Sequence, residues 1–505
     1  MSFAVFEAEF AKVNDILCAV NLMTWDARTM MPPGGVEARG LQIATLVGLA
    51  RDLATSDPMQ KAIEDARAEL NDASPTDVRL QAIEKASTSI SILSRIPRRL
   101  VTEAAALKTR AQSAWTKARA SNDFDSFAPM LERTIEIQRE IADAIGYEEH
   151  PYDALVDTYE PGMRWSQLQT IYGDLQRALI PLLAQARHAH VRHEILERPY
   201  PIEKQKAFSV SMAKRLGYDF DRGRLDDTAH PFEISFTRSD VRITGRFRDT
   251  WLPGGLFAVW HEVGHGLYEQ GISKDLSRSI FATDLVNLYA VGGASFGMHE
   301  SQSRLIENRV GRSKRFWELH FPELKATFPE QLADVSAQDF WRAINAARPS
   351  LIRVEADELT YDFHIMLRSE IEAGLMNQTI QVRDLPDIWR SKMKQYLDLE
   401  VPDDTRGVLQ DVHWSSGMVG SFPTYTIGNI ASSQFFAAAR KDPEVEKGLS
   451  TGDYMPLKIW LNQKIHQFGR TKSPGELLHA ATGAELSAER YIADLAAKVS
   501  ELTGS

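Results

Sequence analysis

The stretch GGLFAVWHEVGHGLYEQG, residues 254 to 271, constrains this chain more than any other. Its apolar residues ask for a buried helix, yet His261, Glu262 and His265 sit in its middle. Positions i and i+4 share one helix face, so both imidazoles point the same way, while Glu262 is turned about 100° round the axis. Three polar side chains are expensive to bury without partners. H-E-x-x-H is the spacing at which two histidines reach one metal ion and the glutamate holds a water. The competing reading is a buried helix with two hydrogen-bonded histidines and an ion-paired or capping glutamate. WLPGG supplies a helix start, and Gly271 reads as the residue just past its end. Gly264 and Gly266, which weaken a helix by roughly 1 kcal/mol each, flank His265. Their smallness is expected to make room for an approach to the metal face.

A catalytic zinc takes three protein ligands and keeps one position open. GMHESQSRLIEN, residues 297 to 308, follows a long apolar run and offers Glu300 as the third. A further carboxylate is expected to orient the ligand histidines. The residue four after Glu300 is Arg304, so Glu307 or another group must do this.

The rest of the chain reads as helical. Apolar residues recur at three- and four-residue spacing over 3–24, 36–56, 59–71, 76–120, 126–146, 165–196 and 203–216. One hairpin is expected in 230–247, where FEISF and VRITGRF alternate around TRSD. Helices resume near 255, with a break at 401–417. No linker interrupts the 505 residues, so a single domain is expected over 1–505. Within it lie long antiparallel helices over 1–220, the hairpin, and a helical region over 255–505. The fold class is mainly α with a small β-sheet. A net charge of −11 argues against nucleic acid or an anionic membrane as the main partner. One cysteine, Cys18, excludes an intrachain disulfide. The N-terminal stretch lacks a basic segment followed by an apolar one, and no apolar run is long enough to span a membrane. A cytoplasmic location is therefore expected.

Several separated motifs together resemble the carboxypeptidase Taq family of zinc metallocarboxypeptidases. Besides HEVGH and HESQSR (299 to 304) they are DVRIT (240 to 244), IRVEAD (352 to 357) and GVLQDVHW (407 to 414). WDARTMMPPGG (25 to 35) and FPTYTIGN (422 to 429) add to the likeness. The resemblance implies a helical, saddle-like body with a deep groove, similar to angiotensin-converting enzyme and neurolysin. It implies a homodimer. The connector KDLSRSIFATDLVNLYAVGGASFG, between the two metal motifs, is longer than expected of the family.

The resemblance makes His261, His265 and Glu300 the zinc ligands and Glu262 the general base, acting on a water that zinc acidifies. Cobalt or manganese can substitute at such an N/O site. His413 and Tyr425 are candidate donors to the oxyanion, with buried, hydrogen-bonded core roles as the alternative. Arg353 is the candidate for the free C-terminal carboxylate of a peptide, since a guanidinium donates two parallel hydrogen bonds. Alternatively it pairs with Glu355, Asp357 or another acid. Arg242 lines the substrate edge or serves as a structural ion-pair partner. His230 and His299 either contact the substrate directly or are core residues or groups that support the site from behind, and Trp260 and Tyr268 are packing residues. The expected activity is removal of single C-terminal residues with broad specificity. Its rivals are an oligoendopeptidase or peptidyl-dipeptidase on the same scaffold, and a non-catalytic protein held together by metal.

Overall fold

The helix bearing the two histidines runs from Leu252 to Gly271, with Pro253 in its first turn. It sits in the computed structural model, which describes residues 2–283, 285 and 295–504. Leu256, Val259, Trp260 and Val263 are fully buried along it. The Trp260 ring packs against Phe257, Phe316 and Trp317 at centroid distances of 5.3, 5.3 and 6.1 Å. Trp260 is thus a packing residue, as is Tyr268, whose hydroxyl donates to the Gly469 carbonyl at 2.7 Å.

The glycines of this helix serve close packing, not access to the metal face. A Cβ on Gly264 would lie 2.4 Å from the Gln302 carbonyl oxygen and from Ser303 Cα. One on Gly266 would lie 2.6 Å from the Tyr218 ring. Gly271 is the last helical residue rather than a left-handed cap beyond it. Its own Cβ would meet His466 at 2.6 Å.

The expected hairpin forms β2 (Glu233–Thr237) and β3 (Asp240–Gly245), antiparallel with an irregularity between Ser235 and Thr237. A further strand, β1 (Leu225–Asp227), pairs in parallel with β3, giving the order β1-β3-β2. Three residues are too few for alternation to announce them in the sequence. The buried Val241 and Ile243 of β3 give the motif helix a floor.

The described residues fall into two compact units, each assembled from three stretches of chain. The first comprises Met1–Ser91, Val191–Asn345 and Gly428–Leu486; the second, Ile92–His190, Ala346–Ile427 and Ser487–Ser505. The expected helix over 76–120 is two, Val78–Arg95 and Arg98–Ser121. Pro97 between them cannot supply a backbone N–H to continue the first. The helix expected over 165–196 stops at Ala186, and Pro151–Tyr159 adds one whose shortness hid its period. The break at 401–417 is present, ending in a short turn at Trp414–Ser416. Much of the longer connector, residues 286–294, lies outside the described residues. Among those described, no helix is long and apolar enough to cross a membrane. The mainly helical fold with one small sheet agrees with the expected fold class.

The second unit is organised round the helix Tyr361–Met376, in which every residue but Glu370 is buried. Its buried carboxylates are provided for, whereas both ring nitrogens of the buried His364 have no hydrogen-bond partner among the described residues. Asp362 accepts from Thr426 Oγ1 at 2.6 Å and from the Tyr491 hydroxyl at 2.7 Å. Glu372 accepts from the Tyr152 hydroxyl, Trp414 Nε1 and the Gly420 amide at 2.6, 2.8 and 3.0 Å. Such pairing offsets the cost of burying carboxylates.

Alanine at the two kinds of glycine should act in opposite directions in thermal unfolding. Gly264→Ala is expected to destabilise by about 1–3 kcal/mol, because backbone atoms must give way. Gly40→Ala, where a Cβ meets nothing within 4 Å, is expected to stabilise its helix by about 0.5–1 kcal/mol.

Candidate metal centre and a second charged cluster

His261 and His265 lie one turn apart on the motif helix, with Nε2 of both turned to Glu300. Glu300 lies on the helix Phe296–Arg304, which Ser295 caps by accepting from the Met298 amide at 2.8 Å. Glu300 Oε2 is 3.2 Å from His265 Nε2 and 3.6 Å from His261 Nε2. One donor atom from each of the three residues falls within 4.8 Å of the others. Gly428, of the FPTYTIGN motif, closes over Glu300: a Cβ there would lie 2.6 Å from its Cγ.

The other nitrogen of each imidazole is already engaged. His261 Nδ1 donates to Glu307 Oε2 at 3.0 Å. Glu307 reaches this position from a π-helical turn, Leu305–Gly311, that continues the helix of Glu300; such turns recur at functional sites. His265 Nδ1 lies 2.5 Å from His299 Nδ1, and His299 Nε2 lies 3.0 Å from Glu269 Oε1. One assignment of protons satisfies the chain: His265 donates to His299, and His299 donates to Glu269. His265 then presents a bare Nε2, the form that binds metal, while His261, held protonated by its carboxylates, would bare its Nε2 on exchanging that proton for a metal ion. Two imidazole nitrogens and a carboxylate oxygen fit a divalent ion such as zinc.

The electrostatics favour a cation at these atoms. Burial opposes charge on His261, yet Glu300 and Glu307 raise its imidazole to about 10. Burial pushes His265 down to about 3, so it is neutral at physiological pH. Burial would raise Glu300, but His261 and Arg304 hold it well below the usual carboxylate range. Arg304 Nε also donates to its Oε1 at 2.8 Å. Glu262, beside His261 and only 6% exposed, goes the other way. Burial pushes its carboxyl up to about 7, with His261 opposing.

Arg242 belongs to this first unit. It pairs with Asp240 through two bonds of 2.9 Å and lies over the Trp25 and Phe236 rings at 4.3 and 4.8 Å. That is the structural pairing weighed from the sequence. His230 accepts from Arg28 Nη2 at 3.3 Å through its backbone carbonyl. The half-buried Cys18 contacts the Phe236 carbonyl.

The second unit brings Arg353, His413 and Tyr425 together. Arg353, 5% exposed, lies in a short turn, Arg353–Glu355, rather than a full helix. Its acid is Asp411, not Glu355 or Asp357. Nε and Nη2 each lie 3.1 Å from Asp411 Oδ1, and Nη1 donates to the Tyr361 hydroxyl at 2.9 Å. Asp357 is occupied instead with the amides of Arg348 and Leu359. His413 Nδ1 is 3.8 Å from Asp411 Oδ1, and its ring packs on Phe422 at 4.6 Å. The Tyr425 ring centroid is 5.3 Å from the Arg353 guanidinium carbon. Sequence reasoning passed over Asp411, which stands inside the QDVHW motif, as well as Glu269 and Gly428. It also passed over Arg368, a cation alone in the apolar run HIMLRSEI.

Because Glu307 and His299 fix the two imidazoles, Glu307→Gln and His299→Ala should each weaken metal binding by about ten- to a hundredfold. Competition with a chelator of known affinity measures this directly, with little change in thermal stability of the metal-free protein.

A family model for the carboxypeptidase Taq (M32) metallopeptidases matches residues 5–499. The chain is 38% identical to carboxypeptidase 1 of Bacillus subtilis, covering 99% of each protein. It is 39% identical to thermostable carboxypeptidase 1 of Thermus thermophilus, covering 98% of each. Its fold superposes on the crystal structure of an M32 carboxypeptidase from Deinococcus radiodurans with a TM-score of 0.94, at 37% identity over the whole of both chains. The chain therefore belongs to the carboxypeptidase Taq (M32) family and is a metallocarboxypeptidase, a peptide hydrolase.

Proposed function

We propose that this metallocarboxypeptidase uses zinc held by His261, His265 and Glu300 to remove single residues, with broad specificity, from peptides bearing a free C-terminus. The observation that carries the reading is the meeting of three donor atoms whose imidazoles are each anchored through their other nitrogen. A divalent ion there supplies Lewis acidity toward water and the scissile carbonyl. Glu262 takes the proton of the attacking water and returns it to the leaving amine; a carboxyl poised near neutrality suits both directions of transfer. His413 and Tyr425 donate to the oxyanion, and Arg353 takes the terminal carboxylate. Cobalt or manganese substitutes for zinc, since imidazole and carboxylate accept several divalent ions.

Arg242 borders the substrate from its place on β3. The interleaving of both units along the chain supports residues 1–505 acting as a single domain. A cytoplasmic location is supported by the lone thiol, and the homodimer rests on the family resemblance.

Glu262→Gln should keep metal content and melting temperature while kcat/KM falls by about 10²–10⁴-fold. Full activity in that variant would remove the assigned chemistry. Mass spectrometry of products from one peptide with free or amidated C-terminus separates the rival activities. Single-residue shortening of the free form alone is expected; internal cuts or released dipeptides would instead indicate an oligoendopeptidase or peptidyl-dipeptidase.

A further inference from the structure

Arg368 has no exposed surface and spends its guanidinium wholly on the protein. Nε and Nη2 both lie 2.6 Å from Asp411 Oδ2. Nη1 donates to the His364 carbonyl at 2.7 Å, and Nη2 to Gln410 Oε1 at 2.8 Å. Its planar group lies over Trp389, with 4.7 Å to the ring centroid. Gln410 Oε1 also accepts from the Arg353 amide at 3.0 Å. A single carboxylate thus serves two arginines, one oxygen each: Oδ2 to Arg368 and Oδ1 to Arg353.

The consequence lies in the charge count. Arg353, Arg368 and Asp411 together carry one net positive charge. Were Arg368 neutral, Asp411 and Arg353 would form a closed, self-neutralised pair. Because Arg368 claims the same carboxylate, Asp411 holds Arg353 in position without cancelling its charge. Tyr361, which accepts from Nη1, adds no formal charge, and burial keeps the His364 imidazole well below its usual range and therefore neutral. His413, whose Nδ1 lies 3.8 Å from Asp411 Oδ1, can only add positive charge to this count. A fixed guanidinium fork with an uncancelled charge is what two-point recognition of a carboxylate requires.

We infer that Arg368 is a positioning residue for substrate recognition: by sharing Asp411 it leaves the charge of Arg353 uncancelled for the terminal carboxylate of the peptide. This rests on the reading of Arg353 given above. The test compares Arg353→Met, Arg368→Met and the double variant Arg368→Met/Asp411→Asn on one peptide with free and amidated C-terminus. Arg368→Met should raise KM for the free peptide about tenfold or more while kcat changes less than about twofold, the pattern of lost ground-state binding. It should also narrow the preference for free over amidated ends.

The double variant restores one net positive charge and leaves no buried acid unpaired, an exchange buried ion clusters tolerate. Its KM should return towards that of the parent protein, which a merely structural role for Arg368 would not produce. If Arg353→Met raises KM while Arg368→Met leaves it unchanged, or if the folded double variant binds no better than Arg368→Met, the inference is overturned. Should Arg368→Met fail to fold, the double variant decides alone, since near-parental KM supports the charge count and a tenfold loss refutes it. If Arg353→Met itself changes neither KM nor end preference, the assignment of Arg353 is what fails.

Discussion

The contact between the motif helix and the backbone of Gln302 and Ser303 at Gly264 governs the rest of the metal centre. It brings two helices so close that no side chain larger than hydrogen fits between them. Glu300, two residues before Gln302, therefore arrives opposite His261 and His265 without a loop to place it. Helices define donor positions more sharply than loops do. The crossing thus converts a spacing in the sequence into a site in space. Gly428 repeats the device against Glu300 itself.

Around that crossing the protein manages an unusual load of buried polar groups by linking them in chains. Glu307 serves His261 while accepting from Arg304 and Arg312. Glu269 serves His299, which in turn serves His265. In the second unit Gln410 and Asp411 serve two arginines at once. Satisfied networks of this kind rigidify, whereas a half-satisfied one is worse than an apolar core. Glu262 stands outside these chains. Of Glu262, Glu300 and Glu307, it alone is shifted upward, burial there outweighing His261 and Arg28, which suits the proton-transfer role proposed for it.

Much of this was legible in the residues. H-E-x-x-H fixed the helix and two donors because period and chemistry coincide there, and Glu300 stood out as an acid ending an apolar run. Glu307 was anticipated as an orienting group, but the π-helical turn that delivers it has no signature in the residue pattern. The split at Pro97 was written in the sequence and outweighed by strong helical periodicity on both sides. The flanking glycines were misread because composition reports smallness without saying what lies opposite. The acid beside Arg353 was hidden for a similar reason: ion pairing is decided by tertiary proximity, and Asp411 is remote in sequence. The pairing of His265 through a second imidazole, rather than directly with a carboxylate, could not be read from spacing at all.

The π-helical turn at Leu305–Gly311 carries a consequence for how this segment tolerates change in length. A widened turn accommodates surplus backbone, so residues beyond it are offset by about 100° per extra residue relative to an uninterrupted α-helix. Glu300 precedes the offset, and Glu307 and Arg312 fall within or after it. Excising Leu305 or Ile306, ahead of Glu307, would regularise the backbone, a local gain, while rotating Glu307 away from His261. Here the irregular backbone is the adapter between two phases of helix, and conformational regularity and metal-site integrity pull in opposite directions.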